Sequence, residues 1–269
     1  MDIKIAFTDI DGTLLNSERE VSEMLKEQVA RISEQNVPFI LISSRMPSAM
    51  THLQADLNIE GLPMICYNGG LVLVDGEIVD NISIAPTILE DIAELNKEGK
   101  FHISLYNNND WYVPEMDFWA KREENNTKVT PIVKPTKDVI NLWIEEEKGA
   151  HKVMCMGDKE HMDFVYSELG KLHGDKLHLY RSKDTYIEIA NKNISKLTGI
   201  EELLACKYPH LTLDNCIAFG DNYNDIEMLK AVKMGVAVGN AKEEVLVIAD
   251  AVSDVNKKDG VAKAILKFI

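Results

Sequence analysis

Phe7-Thr8-Asp9-Ile10-Asp11-Gly12-Thr13-Leu14-Leu15 sets two carboxylates, with one residue between them, at the end of an apolar run and follows them at once with Gly and Thr. Ile3, Ile5 and Phe7 alternate with Asp2, Lys4 and Ala6, so the run reads as a strand that hands Asp9 to a loop at its carboxyl end. In open α/β sheets that end is where ligands bind. Asp9 and Asp11 share a side parity, and Gly12 permits the sharp turn that brings both acids around one small volume.

Two carboxylates so placed suit phosphoryl transfer, one attacking while the other moves protons, with Mg²⁺ screening the meeting of two anions. A polar strand end followed by an ordinary Asp-Gly turn is the alternative for this stretch alone. Three further polar clusters, each after an apolar run, weigh against it. Phe39-Ile40-Leu41-Ile42 leads into Ser43-Ser44-Arg45-Met46-Pro47, with Pro47 expected to open a helix. Hydroxyls and backbone N–H groups at such a point suit a phosphate. Ile194-Ser195-Lys196 follows the strand-like Tyr186-Ile187-Glu188-Ile189 and opens a helical segment carrying Ile200, Leu203 and Leu204. Ile217-Ala218-Phe219-Gly220-Asp221-Asn222-Tyr223-Asn224-Asp225 ends a strand in Gly and two acids, then passes into a helix with Ile226, Leu229 and Val232. Asp221 and Asp225 add the hard oxygen donors that Mg²⁺ prefers.

The order DxDGT, hydroxyls and Arg after a second strand, Lys, then GDxxND resembles the haloacid dehalogenase-like phosphatases, and more narrowly their Cof-type subfamily. Tyr67-Asn68-Gly69-Gly70 and Gly235-Val236-Ala237-Val238-Gly239-Asn240-Ala241 extend the match to both ends of the chain. The resemblance implies Asp9 as nucleophile and Mg²⁺ ligand, and Asp11 as general acid and base with its main-chain carbonyl on the metal. It implies Asp221 as the remaining carboxylate ligand. The Ser43 hydroxyl, the Ser44 backbone, Lys196 and the Asn224 amide would hold phosphoryl oxygens, with Asp225 orienting metal-bound water or Lys196. Relatives usually carry Gly where this chain has Ser44, which sets a side chain near the phosphate. Lys196 could instead be a solvated surface charge, and Asp225 a favourable charge in a first helical turn. Arg45 matches the family position after the hydroxyls but is left outside the catalytic set, since it could anchor the helix that follows it or pair with a nearby acid.

The resemblance also implies the fold class: α/β, a Rossmann-like parallel sheet flanked by helices, with an inserted α+β cap of the C2 type. The motifs cluster near the two ends, which predicts a catalytic core from residues 1–82 and 187–269 and a cap from 83–186. In the core, a helix is expected from about Ser22 to Gln35 and a hairpin at Leu71–Val74 and Ile78–Val79 around Asp75-Gly76. The insertion predicts helices at Pro86–Lys97, Met116–Glu124, Val139–Glu147 and Lys159–Leu172. Its strands are expected at His102–Tyr106, Trp111–Val113 and Lys152–Met156, with Lys176–Arg181 and Thr185–Ile189 returning to the core. Alternating helices and strands suggest a mainly antiparallel cap sheet.

Composition bounds the remaining classes. The chain has 269 residues, 45% of them hydrophobic and 27% charged, with a net charge of -15. That charge argues against nucleic acid or an anionic membrane as partner, and apolar stretches of only a few residues argue against a bilayer span. The start Met1-Asp2-Ile3-Lys4 shows no export signal, so a cytoplasmic enzyme is expected, acting as a monomer or weak homo-oligomer. Cys66, Cys155, Cys206 and Cys216 show no metal spacing and read as buried reduced thiols. The expected substrate is a small phosphorylated metabolite, with sugar phosphates leading. Asn107-Asn108-Asn109-Asp110-Trp111 and Arg181-Ser182-Lys183-Asp184 could meet a sugar or serve as plain surface turns. The rivals are a non-catalytic sensor of a phosphorylated metabolite, a receiver-type signalling domain and a phosphomutase.

Overall fold

Strand β1 (Ile5–Thr8) is buried at every position, because it lies in the middle of a sheet that is covered on both faces. The computed structural model describes residues 2–269, with the side chain of Ser182 outside the description. After β1 come α1 (Glu23–Glu34), β2 (Phe39–Ile42), α2 (Thr51–Asp56), β3 (Met64–Cys66), β4 (Leu71–Val74) and β5 (Glu77–Asn81). The middle of the chain forms α3 (Pro86–Leu95), β6 (His102–Asn107), β7 (Asp110–Val113), α4 (Phe118–Thr127), β8 (Ile132–Val133) and α5 (Thr136–Glu145). It continues with β9 (Lys152–Met156), α6 (Lys159–His173), β10 (Leu177–Lys183) and β11 (Tyr186–Asn191). The last third is α7 (Lys196–Lys207), β12 (Cys216–Gly220), α8 (Ile226–Ala231), β13 (Met234–Ala237), α9 (Glu243–Ile248), β14 (Ala251–Val252) and α10 (Gly260–Phe268).

These elements divide into two compact units. The first is 1–45, 50–81 and 195–269, and the second is 46–49 and 82–194. In the first unit the strand order is β14-β13-β12-β1-β2-β3-β4-β5, parallel from β14 to β3 and antiparallel beyond. The order runs outward in one direction from β1 to β3 and resumes on the other side at β12, so β1 and β12 flank the switch point where such sheets bind ligands. Ile5, Phe7, Ile40, Ile42, Ile65, Ile200, Leu203, Ala218 and Met228 pack into one core on one side of that sheet. Helix α1 matches its expected span. Ser22 caps it, accepting a hydrogen bond from the Leu25 N–H at 3.2 Å. The β4–β5 hairpin turns on Asp75 and Gly76, both with positive φ as a tight two-residue turn requires.

In the second unit the strand order is β10-β11-β9-β6-β7-β8, antiparallel except where β8 runs parallel to β7. One face is apolar: Ile103, Leu105, Val153, Cys155, Ile187 and Ile189 pack on α3, α5 and α6 through Leu89, Trp143 and Val165. Alternation sends His102, Ser104, Tyr106, Lys152 and Glu188 to the other face. Tyr106 stacks on Trp111 with ring centres 5.5 Å apart, and the Lys152 ammonium lies 4.6 Å from the centre of the Tyr106 ring.

Several expectations change. Residues 187–194 belong to the second unit, because β11 pairs with both β9 and β10, so the return to the first unit comes at Ser195 and not at 187. Met46–Ala49 also groups with the second unit. Pro47 opens a single 3₁₀ turn (Pro47–Ala49) in place of a helix, and α2 begins only at Thr51. The short strand β8 escapes the pattern, since two residues carry no periodicity. Three of the four cysteines are buried, with burial pushing the Cys155 thiol up to about 12, whereas Cys206 is exposed. One residue of each polar stretch has a partner within the fold. The Asn107 amide donates to the Gly149 carbonyl at 2.6 Å, and the Arg181 guanidinium pairs with Asp163 at 2.6 Å. Within Arg181–Asp184 the Ser182 side chain lies outside the described residues.

Candidate active site

The carboxyl ends of three neighbouring strands, β2, β1 and β12, deliver Ser43, Asp9 and Asp221 to one edge of the sheet. Asp9 is held there by its own N–H, which donates to the Phe219 carbonyl at 3.0 Å. Gly12 turns the chain behind it at φ +92, and a Cβ at that position would lie 2.5 Å from Asp221 Oδ2, so only glycine fits. Thr13 Oγ1 donates to Asp221 Oδ1 at 2.8 Å and fixes that carboxylate.

Lys196 is the first residue of α7 and is wholly buried. Ser195 and Thr198 form a capping box that pins the turn carrying it. Its ammonium donates to Asp9 Oδ1 at 2.5 Å and to Asp225 Oδ1 at 2.6 Å. The second oxygen of Asp225 accepts from the backbone N–H groups of Asp221 and Asn222 at 2.8 and 2.9 Å. Asp225 therefore has both oxygens engaged. It ties Lys196 to the loop that bears Asp221; Lys196 is fully buried and so is no solvated surface charge, while Asp225 does stand in the first turn of a helical segment, buried there against Lys196.

Asp11 faces other cations. Arg45 Nε and Nη2 grip its two carboxylate oxygens at 2.7 and 2.8 Å, and Arg19 Nη2 adds a third contact at 2.7 Å. Cations thus set the two acids of the opening motif apart. Burial pushes the Asp9 carboxyl well up, and the charges of Asp225 and Asp221 add to that, while Lys196 opposes it. Burial raises Asp11 too, but the Arg45 hydrogen bonds and the Arg45 and Arg19 charges outweigh it and hold that carboxyl below its ordinary range. Asp221 is pushed up to about 6, mainly by burial, against the Thr13 hydrogen bond.

Carboxylate oxygens of Asp9, Asp221 and Asp225 lie within 4.8 Å of one another. This set fits a hard divalent cation. All donors are oxygens, and three carboxylates with one ammonium carry a formal charge of −2 that one such ion cancels. With Asp225 engaged, Asp9 and Asp221 are the carboxylates that could reach it. The Asp11 carboxylate points to its arginines, which leaves only its main chain for such a role.

Ser43 is buried, and its Oγ accepts from the Arg45 N–H at 3.3 Å. Ser44 follows it on the same loop and is partly exposed. The Asn224 amide donates to Asn68 Oδ1 at 3.0 Å. The sequence does not single out Thr13, Arg19 or Asn68 for the site. Thr13 is visible inside DxDGT, whereas Arg19 sits in an unpatterned loop at φ +63 and gives no signal.

Residues 6–265 match the family model of the haloacid dehalogenase-like hydrolases. The chain belongs to that family. A haloacid dehalogenase-like hydrolase from Bacteroides thetaiotaomicron shares the structure at a TM-score of 0.89 with 28% identity, over 99% of this chain and 100% of its own. The HAD subclass IIB sugar phosphatase BT4131 superposes at 0.82 with 22% identity over 98% of each chain, a likeness of fold. The 5-amino-6-(5-phospho-D-ribitylamino)uracil phosphatase YcsE of Bacillus subtilis is 27% identical over 100% of this chain and 97% of its own. This haloacid dehalogenase-like hydrolase is a phosphatase in class, in keeping with its α/β sheet and the Cof-type resemblance. Among the described residues no helix is long and apolar enough to cross a membrane.

Proposed function

We propose that this chain is a Mg²⁺-dependent phosphatase of small phosphorylated metabolites, sugar phosphates foremost, working through an aspartyl-phosphate on Asp9. The observation that carries this reading is the buried Lys196 held between Asp9 and Asp225 at the switch point of the sheet. A nucleophilic carboxylate must be ionised to attack; burial and the neighbouring carboxylates push Asp9 the other way, and the ammonium 2.5 Å away is the group that opposes them.

Asp9 and Asp221, with the Asp11 main-chain carbonyl, would hold Mg²⁺, which supplies charge neutralisation as two anions meet. Asp9 attacks phosphorus; a bond forms from its carboxylate oxygen, the ester P–O bond breaks, and Asp11 gives its proton to the leaving alcohol. Asp11 then takes a proton from water as the water oxygen attacks phosphorus and frees Asp9. The anionic state that Arg45 and Arg19 favour suits this second step. Donation in the first step requires Asp11 to exchange guanidinium contacts for the proton. The Ser43 hydroxyl, the Ser44 backbone N–H, Lys196 and the Asn224 amide bind phosphoryl oxygens.

The sugar-phosphate class is supported by the family resemblance and by a relative whose substrate is a phosphorylated ribityl compound. We assign the choice of alcohol to the second unit, whose sheet carries His102, Ser104, Tyr106, Lys152 and Glu188 on one face. The test is inorganic phosphate release from sugar phosphates, nucleotides and pyridoxal phosphate with Mg²⁺ or EDTA, using Asp9→Asn as the blank. Metal-dependent release that the blank lacks is expected. Silence across the panel, or an isomerised sugar phosphate in place of free phosphate, overturns the reading.

A further inference from the structure

Three successive residues after β3 have positive φ: Tyr67 at +52, Asn68 at +56 and Gly69 at +98. For a non-glycine residue this conformation is uncommon, and for an aromatic one it is costly, so the surroundings must over-determine it. Contacts on three sides do so. The Asn68 N–H donates to the Ser43 carbonyl at 2.8 Å and the Tyr67 N–H to the Arg45 carbonyl at 3.1 Å, which ties the turn to the end of β2. Gly69 lies so close to the Ser195 carbonyl that no Cβ could stand there, which seats the turn on the first residues of α7. Asn68 Oδ1 accepts from the Asn224 amide at 3.0 Å, which ties it to the loop after β12. Asn68 is itself buried, with 3% exposure.

We propose that Asn68 is a positioning residue for the phosphoryl group, one turn that sets Ser43, Lys196 and Asn224 in register with each other. The inference rests on the phosphatase reading above. An amide offers two donor hydrogens, so the oxygen of Asn68 holds one and orients the other. An Asn224 without that partner can rotate, and its donor is no longer fixed for a phosphoryl oxygen.

Asn68→Gly separates this role from folding, since glycine adopts φ +56 without strain while losing the oxygen. Inorganic phosphate binding is read by calorimetry on the Mg²⁺-loaded protein, and kcat/KM on p-nitrophenyl phosphate. Asn68→Gly is expected to keep the melting temperature within about 3 °C and to weaken phosphate binding and kcat/KM about tenfold. Combined with Asn224→Ala, the loss in phosphate binding should be no greater than that of the worse single variant, because both substitutions break the same Asn224–Asn68 hydrogen bond. Unchanged phosphate affinity in Asn68→Gly, or losses that multiply in the double variant, would overturn the proposal. A wild type that binds phosphate without hydrolysing p-nitrophenyl phosphate or any ester of the panel fails the phosphatase reading instead, and the binding comparison still decides the role of Asn68.

Discussion

At the scale of the residue, Lys196 is the keystone, an ammonium with no solvent exposure whose compensation comes from Asp9 and Asp225. Its pKa is raised: burial works against the charged form, but the two carboxylates overcome that. Removing one member of such a group strands the others, so Lys196→Met is expected to cost about 3–5 kcal/mol of stability, measured by urea unfolding without metal. The same substitution in an Asp9→Asn background should cost less, as one stranded charge has gone, and equal costs would refute the coupling. Asp9→Asn alone keeps the shape of the side chain and deletes the charge to which the proposal above assigns the attack on phosphorus. Its phosphate release should fall to that of buffer while its circular dichroism is retained, and residual turnover would exclude Asp9 as nucleophile.

At the scale of the element, the second unit contains His151, next to β9 and buried, whose Nδ1 accepts the Asn108 N–H at 3.0 Å in the β6–β7 turn. Burial pushes this imidazole down to about 4, against about 6.5 in the unfolded chain. The folded form therefore binds fewer protons between these values. Its stabilising share is complete above about pH 6.5, falls as the pH drops towards 4, and amounts to at most about 3 kcal/mol. All three tryptophans, Trp111, Trp119 and Trp143, lie in this unit, so tryptophan-monitored urea unfolding across pH 4–7 reads it directly. His151→Phe should flatten the part of that pH dependence due to this group, and an unchanged slope would show that the imidazole does not supply it. Elements with strong patterns are legible in the sequence: α1 by its cap and stripe, the β4–β5 hairpin by Asp75-Gly76, and β9 by its apolar run. The membership of β11 is not, because strand pairing is a long-range choice that a run such as Tyr186–Ile189 does not encode. The same limit hides Arg19, whose role depends on where a loop folds back and not on its neighbours in sequence.

At the scale of the whole molecule, the chain is acidic, with 44 Asp and Glu against 29 Lys and Arg, and the cluster of Asp9, Asp221 and Asp225 around one ammonium keeps a formal charge of −2. A divalent cation that binds only the folded form should raise the melting temperature, by about 5 °C when Mg²⁺ stands at 100 times its dissociation constant. EDTA should abolish the rise, and Asp221→Asn should diminish it. A melt indifferent to Mg²⁺ would remove the metal assignment. The order of the motifs makes this centre legible from the residues alone, since four short signals along the chain converge on one sheet edge; the cationic grip on Asp11 is visible only in three dimensions. The Lys196 to Asp9 contact joins residues 187 apart, and β1 finds its β12 partner only when residues 216–220 exist. On a ribosome adding about 5–20 residues each second, Asp9 emerges about nine seconds or more before Lys196. Throughout that interval Asp9 lacks the ammonium that it meets in the folded chain, so the arrangement proposed for catalysis is assembled late, when the last third of the chain closes the sheet.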